Sequence, residues 1–375
     1  VPVPRIPVPR LPRDFRSRPW PLVTEEHAGT ATVTFLCESR QATSVLLFAN
    51  RLTDERNIGC SEMEYLGDGL WGLSYRMETD WRASYGFLQH TGCGVPPWRD
   101  DSDQRSLRAL LDTGNTDPRN PLTCPNSTGR LFSVVELSDA PPQPFRLVQH
   151  QDDGVPTPSE HRIPTSSGPR TVWAHPVGSP GEGSPLVLVL DGDTWLHHHR
   201  MQLSLNAAHQ AGVIPASWVL FVSSGSKAQR WQYLGHRDGA SAELATGILP
   251  WAQHQLGAGL GPASTLATGH SLGGISALWA LARHPERIGA ALAQSPSLWT
   301  DQDSALASVL RQCVGRIRLE VGRQEWAMVG QVRQLAQTLQ DAYVAVEYVE
   351  FNGGHDYACW RGGLIEGIAA LLPPE

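Results

Sequence analysis

Ser271 stands in the run Gly269-His270-Ser271-Leu272-Gly273, with a glycine two residues to either side. A serine hydroxyl is a weak nucleophile until a neighbouring base takes its proton. The flanks of this serine suit the task. "STLAT" before it reads as a strand, and Gly274 to Arg283 after it reads as an apolar helix. A serine on so sharp a strand-to-helix turn is lifted out of the sheet, and side chains two residues away would collide. The helix start then aims the Leu272 amide at an oxyanion developing on the substrate. The base must come from downstream. His284 follows too closely, in the helix end "RHPER". His355, in "FNGGHDYACW", directly follows the strand pattern "VAVEYVEF" and is the candidate. The positional candidate for the acid is Glu325, in "VGRQEW" after "RIRLEVG", where a carboxylate would hold the other imidazole nitrogen. A surface glutamate, or a serine–histidine pair working without an acid, are the alternatives. Asp356 is adjacent to His355, and neighbouring side chains seldom face one another; Glu320 lies inside a strand.

These residues need a scaffold. "TVWAHPV", "PLVLVLDG", "SWVLFVS", "STLATG", "GAALAQS", "RIRLEVG" and "VAVEYVEF" alternate with helical patterns, including 242–256, 274–283 and 328–339. Alternation of this kind makes a mostly parallel α/β sheet, and "LVLVL", apolar on both faces, is a central strand. The order serine, acid, histidine is that of the α/β-hydrolase fold. The loop of "LVLVLDGDTW" then supplies the second oxyanion donor, with Gly192 letting the backbone approach the substrate and the amide near Asp193 as the expected donor. Pro250 is a kink site within 242–256. His197, His198 and His199 point in different directions on a helix, so no metal site is expected there.

The first half reads otherwise. "TVTFLC", "SVLLFANRL", "LWGLSYRM", "RASYGFLQ" and "LFSVVEL" are short strands with turn clusters between them, the pattern of an all-β sandwich. One helix is expected over 101–111, with a polar start at Asp101 to Asp103. The expected organisation is a Pro-rich, mobile arm over 1–30, a sandwich over 31–150, a linker over 151–169 and the catalytic α/β domain over 170–375.

Composition narrows the function. The net charge of −7 over 375 residues argues against a nucleic-acid partner. No stretch approaches the roughly 18 apolar residues of a membrane span, so no membrane partner is expected. "VPVPRIPVPRLPRDF" has no continuous apolar core and is no signal peptide. The missing initiating methionine leaves open that residues preceded Val1. Six scattered cysteines without a C-x-x-C pair fit reduced thiols in a cytoplasm.

"DGDTW", "GHSLGGISALWALARHPERIGAALAQSPSLW" and "GGHDYACWRGGL" together resemble the enterochelin (ferric enterobactin) esterases; "DWRASYGF", "TDPRNPL" and "VVELSDAPPQPF" match the N-terminal half of that family. The resemblance runs from about Thr32 to the C-terminus. It implies an immunoglobulin-like first domain, an esterase-D-like second domain, and hydrolysis of the trilactone esters of catecholate siderophores. Ser271 and His355 take the nucleophile and base positions, and relatives that manage with a serine–histidine pair leave Glu325 open. No cofactor is implied; ferric iron comes with the substrate. A ferric tris-catecholate carries about three negative charges, so an acidic protein needs local arginines to hold it. Arg230 and Arg361 are the candidates, and Trp195, Trp231 and Trp360 are candidates to stack on catechol rings. The loop "SKAQRWQYLGHRDGAS" departs from the family's usual sequence, which leaves the siderophore itself open. A carbohydrate or aryl esterase, an acyltransferase, and a non-catalytic siderophore-binding protein are the rival readings.

Overall fold

The computed structural model describes residues 3–26, 29–99, 103–146 and 154–372, and these form two compact units. The first comprises Val1–Pro142 with two later segments, Arg323–Trp326 and Phe351–Cys359; the second holds the remainder.

The first unit is a two-sheet sandwich. Its strands are β1 (Arg5–Ile6), β2 (Leu22–Glu25), β3 (Thr30–Glu38), β4 (Ser44–Ala49), β5 (Glu64–Gly67), β6 (Leu70–Glu78), β7 (Arg82–His90), β8 (Thr123–Pro125) and β9 (Leu131–Glu136). One sheet runs β1-β6-β3-β2 with β5 also on β6, and the other runs β4-β7-β9-β8, with every pairing antiparallel. The period-2 alternation of strand side chains explains the core. Val33, Phe35, Leu73 and Tyr75 from one sheet meet Val45, Leu47, Tyr85 and Phe87 from the other. Helix α1 (Gln104–Leu111) starts at Asp103, whose carboxylate accepts from the Arg105 and Ser106 amides at 2.7 and 3.0 Å. The other two residues of its expected polar start, Asp101 and Ser102, lie outside the described residues.

The N-terminal segment is not an unattached arm. β1 and β2 pair with β6 and β3. The reason is the back of β3: Leu36 and Leu70 point away from the sandwich core and are covered by Trp20, with Leu11, Phe15 and Leu22 around it. Covering such apolar area is worth roughly 25 cal/mol per Å2, enough to hold a proline-rich segment down.

The second unit is built on an eight-stranded sheet ordered β10-β11-β13-β12-β14-β15-β16-β17. The strands are β10 (Ser159–Ile163), β11 (Arg170–Val177), β12 (Leu186–Leu190), β13 (Ser217–Val222), β14 (Thr265–His270), β15 (Ala290–Gln294), β16 (Arg316–Gly322) and β17 (Ala345–Phe351). β11 is antiparallel to β10 and β13, while β13, β12, β14, β15 and β16 run parallel. The helices are α2 (Met201–Gln210), α3 (Lys227–Leu234), α4 (Gly239–Glu243), α5 (Leu249–Leu256), α6 (Leu272–Arg283), α7 (Ala305–Leu310), α8 (Trp326–Asp341) and α9 (Tyr357–Leu371). All five residues of β12 are buried, as a central strand requires. A π-turn, Leu244–Ile248, joins α4 to α5. It comes just before Pro250, the expected kink, which has no amide to give an ordinary turn.

Strand β10 falls inside the span expected to be a linker. Its sequence, "SEHRI", is polar and mostly exposed, so no apolar pattern announced an edge strand; only Ile163 enters the core. Residues 151–153 of that span lie outside the described residues. Among the described residues no helix is long and apolar enough to cross a membrane.

Candidate active site

Ser271 follows β14 and precedes α6, and its backbone is left-handed, at φ 55° and ψ −119°. A non-glycine residue there is strained by about 1–3 kcal/mol, and such strain persists only where the surroundings over-determine it. Here they do. The Ser271 amide donates to the Gln294 carbonyl at 2.9 Å, and the Ser297 amide donates to the Ser271 carbonyl at 3.0 Å. The two glycines of the motif are there for each other. A Cβ on Gly269 would sit 2.5 Å from the Gly273 carbonyl carbon, so the backbones touch at that point. The Leu272 amide is in the first turn of α6, where helical geometry leaves it without an intrahelical acceptor. The Ser271 and Ser297 hydroxyls lie 3.2 Å apart.

The loop after β12 is locked beneath this turn. Asp191 is buried, left-handed at φ 55°, and held by two bonds from Arg230, Nε to Oδ1 at 2.7 Å and Nη2 to Oδ2 at 2.8 Å. Burial pushes its carboxyl pKa up, and the Arg230 charge outweighs that, leaving it below the usual carboxylate range. His270 Nε2 is 3.6 Å from the same carboxylate. The His270 ring is stacked on Trp360 at 4.6 Å and meets Trp195 edge-on at 5.5 Å. Asp193 accepts the Ser224 amide at 2.9 Å through its side chain. Gly192 is a glycine because the backbone of β13 passes so close: a Cβ would lie 2.2 Å from the Phe221 carbonyl carbon. Its need is therefore packing under the loop, rather than the approach of a substrate.

The other candidate group lies in the first unit. Arg323–Trp326 leaves β16 directly, and the segment after Phe351 leaves β17. His355 Nδ1 donates to Glu325 Oε2 at 2.6 Å, which fixes the tautomer and leaves Nε2 as the basic nitrogen. Glu325 is fully buried. Burial lowers the His355 pKa, Glu325 raises it, and the net position is below the ordinary imidazole value, so the ring is neutral near pH 7. Asn50 donates to the His355 carbonyl at 3.0 Å, and Gly354 lies so close to Asn50 and Arg51 that a Cβ would strike both. Asp356 accepts from the Ser84 and Ala358 amides at 2.6 and 2.9 Å, one on each carboxylate oxygen, and so starts α9. Glu320, in β16, is taken up by Arg318 and Gln294.

The proposed ligand contacts divide. Trp195 and Trp360 are only 1% and 2% exposed, with their rings against His270; they hold the turn and offer no face to a catechol. Arg230 spends its fork on Asp191. Arg361 Nε donates to Gln143 at 2.8 Å. Trp231 remains a half-exposed ring. His197 and His199 turn to different tryptophans, Trp173 and Trp195. Sequence reading passed over Asn50, Asp191, His270, Ser297 and Trp299. Of these, Asp191, His270, Ser297 and Trp299 fall inside the stretches that carry the family resemblance, while Asn50, in a strand pattern of the first half, had no local signal.

A mostly parallel eight-stranded sheet with a serine on a strained turn between strand and helix defines an α/β-hydrolase, carried here on a chain that also folds a β-sandwich. Two family models match it: "Enterochelin esterase, N-terminal" over residues 32–145 and "Putative esterase" over residues 165–371. The chain belongs to the enterochelin esterase family. It is 30% identical to the iron(III) salmochelin esterase of Escherichia coli O6:H1 over 96% of this chain and 92% of the relative. It is 28% identical to the iron(III) enterobactin esterase of Dickeya dadantii over 94% and 90%. The crystal structure of a ferric enterobactin esterase from Salmonella typhimurium superposes with a TM-score of 0.81 at 25% identity, covering 95% of this chain and 97% of that one.

Proposed function

We propose that this chain is a cytoplasmic serine esterase that hydrolyses the trilactone ester bonds of catecholate siderophores, freeing their iron. The Ser271 hydroxyl adds to the lactone carbonyl while His355 Nε2 takes its proton. The Leu272 amide and the amide at Asp193 hold the oxyanion. The intermediate collapses with loss of the serine alkoxide of the siderophore, protonated by His355. Water activated by the same imidazole then releases the acid and restores Ser271. Glu325 keeps the imidazole in the productive tautomer and stabilises its charged form. The sequence of steps needs no resident metal or organic cofactor; ferric iron is cargo.

The observation that carries the reading is the strained backbone of Ser271 at the head of α6, whose ψ of −119° takes it outside the left-handed helical well that positive-φ turn residues such as Arg200 and Ser304 occupy. Family membership supports the substrate class, because the relatives are named for iron(III) enterobactin and iron(III) salmochelin. The test is mass spectrometry of products from apo and ferric enterobactin, with wild type against Ser271→Ala. Loss of hydrolysis by at least about a thousandfold is expected, since removing a nucleophilic serine costs up to about a millionfold. An unchanged rate, with no labelling of Ser271 by a serine-directed phosphonate, would overturn the reading.

A further inference from the structure

The tryptophans of the second unit differ in what covers them. Trp195, Trp279 and Trp360 are interior, whereas Trp231 and Trp299 are 48% and 50% exposed. These two are stacked on each other, with centroids 5.7 Å apart and planes 29° apart. A pair of half-exposed indoles leaves a broad flat apolar surface in water, and such a surface marks a binding site more often than a folding need.

Both rings spring from residues tied to the nucleophile turn. Trp299 lies in the short helical turn Leu298–Thr300, two residues beyond Ser297, whose hydroxyl is 3.2 Å from that of Ser271. Two residues of chain span at most about 7 Å. Trp231 follows Arg230, the residue clamped on Asp191. Trp299 also edges a cavity of about 540 Å3 beside α7 and α8, which the buried Leu306 and Leu335 line together with the exposed Gln334 and Arg311. That is within the usual size of a small-molecule site.

We propose that the Trp231–Trp299 pair and this cavity form a subsite for one dihydroxybenzoyl ring of the substrate. The subsite rests on the catecholate reading given above. The ring stacks on the indoles. Its hydroxyls meet the Gln334 amide, which both donates and accepts, and Arg311 receives the charge of a deprotonated catecholate. Among the described residues, Trp195 and Trp360 are covered and present no flat face beside the turn.

The test uses the full chain and N-(2,3-dihydroxybenzoyl)serine as the probe, with N-acetylserine as the ring-free comparison, by titration calorimetry. Trp299→Leu keeps apolar bulk and removes the π face; Trp299→Phe keeps both. We expect the Kd of the aryl probe to rise about tenfold in Trp299→Leu and in Trp231→Leu, and less than about threefold in Trp299→Phe. The double Leu variant should lose less than the product of the two single effects, because the rings form one surface. Tyr343→Ala, removing an aromatic residue that is 97% exposed, serves as the control and should bind as wild type does. Wild-type affinity in both Leu variants would overturn the subsite. Normal trilactone hydrolysis beside that result would leave the esterase reading standing. A wild-type chain that neither binds the aryl probe nor cuts the trilactone would remove both.

Discussion

The Glu325 carboxylate lies 2.6 Å from Nδ1 of His355 and is wholly buried, so its charge has one principal use. It orients a ring that burial would otherwise leave neutral and free to turn. Burial lowers the His355 pKa and Glu325 raises it. Removing the carboxylate therefore lowers the pKa further. In Glu325→Gln, kcat should fall by roughly a hundredfold to ten-thousandfold, with KM little changed. The acid limb of the pH–rate profile, which reports the deprotonated base, should move to lower pH. A glutamate that served only the fold would move neither the limb nor kcat at constant stability. Stopped assays from pH 4 to 8 on both proteins decide between these.

Arg230 and Asp191 make a different kind of pair. Asp191 is buried, and Arg230 covers both its oxygens. Removing one partner of such a pair leaves an uncompensated charge and costs about 3–5 kcal/mol where burial is complete, and less here because Arg230 is partly exposed. Arg230→Ala should lower the urea midpoint and kcat together, since the loop bearing Asp193 loses its anchor. Adding Asp191→Asn should restore part of the stability. If Arg230→Ala instead raises KM alone, and leaves the urea midpoint in place, its guanidinium serves the substrate.

The contact between Gly269 and Gly273 is backbone on backbone. Alanine at 269 must push α6 away from β14, at a cost of about 1–3 kcal/mol, the usual penalty of overpacking. Gly269→Ala should therefore reduce both thermal stability and the extent of phosphonate labelling at Ser271. Alanine at Gly330, where a Cβ meets open space, is the matched control and should be neutral or slightly stabilising in α8. Equal melting temperatures for the two variants would refute the claim.

Two histidines set an acid limit on the fold. Burial pushes His175 down to about 4 and His199 down to about 3, from an ordinary value of 6.5. The unfolded chain takes up these protons as pH falls through 6.5, and the folded chain does not. Stability is thus fully present above about 6.5 and is lost progressively down to the folded values, at about 1.4 kcal/mol per pKa unit for each group. Urea midpoints should decline steadily from pH 7 to pH 4.5. His199→Gln should flatten that slope, whatever it does to the midpoint at pH 7. An unchanged slope would show that His199 gains a proton in the folded state as readily as in the unfolded one.

The parts of this protein written in neighbouring residues were legible. The apolar "LVLVL" announced a central strand, and the alternation in "TVTFLC" and "RASYGFLQ" announced a sandwich. The spacing of Gly269, Ser271 and Gly273 announced a strained turn, because a steric demand between residues four apart must show in both. What went unseen depended on distant partners. β1, β2 and β10 are short and polar or proline-rich, and they are strands only because a sheet edge or the back of Leu36 and Leu70 was there to receive them. Arg230 looked like a free cation because its partner Asp191 is 39 positions away.

Sequence by itself determined the fold class, the strained turn that carries Ser271 and the place of His355 after the last strand, since each is set by local sterics and by chain order. Tertiary structure alone decided which charges and rings remain for a ligand. It buried Trp195 and Trp360 around His270, spent Arg230 on Asp191, gave His355 the carboxylate of Glu325, and stacked Trp231 on the unremarked Trp299. Exposure and pairing are properties of the packed chain, because they depend on which distant residue arrives first at each polar atom and each aromatic face.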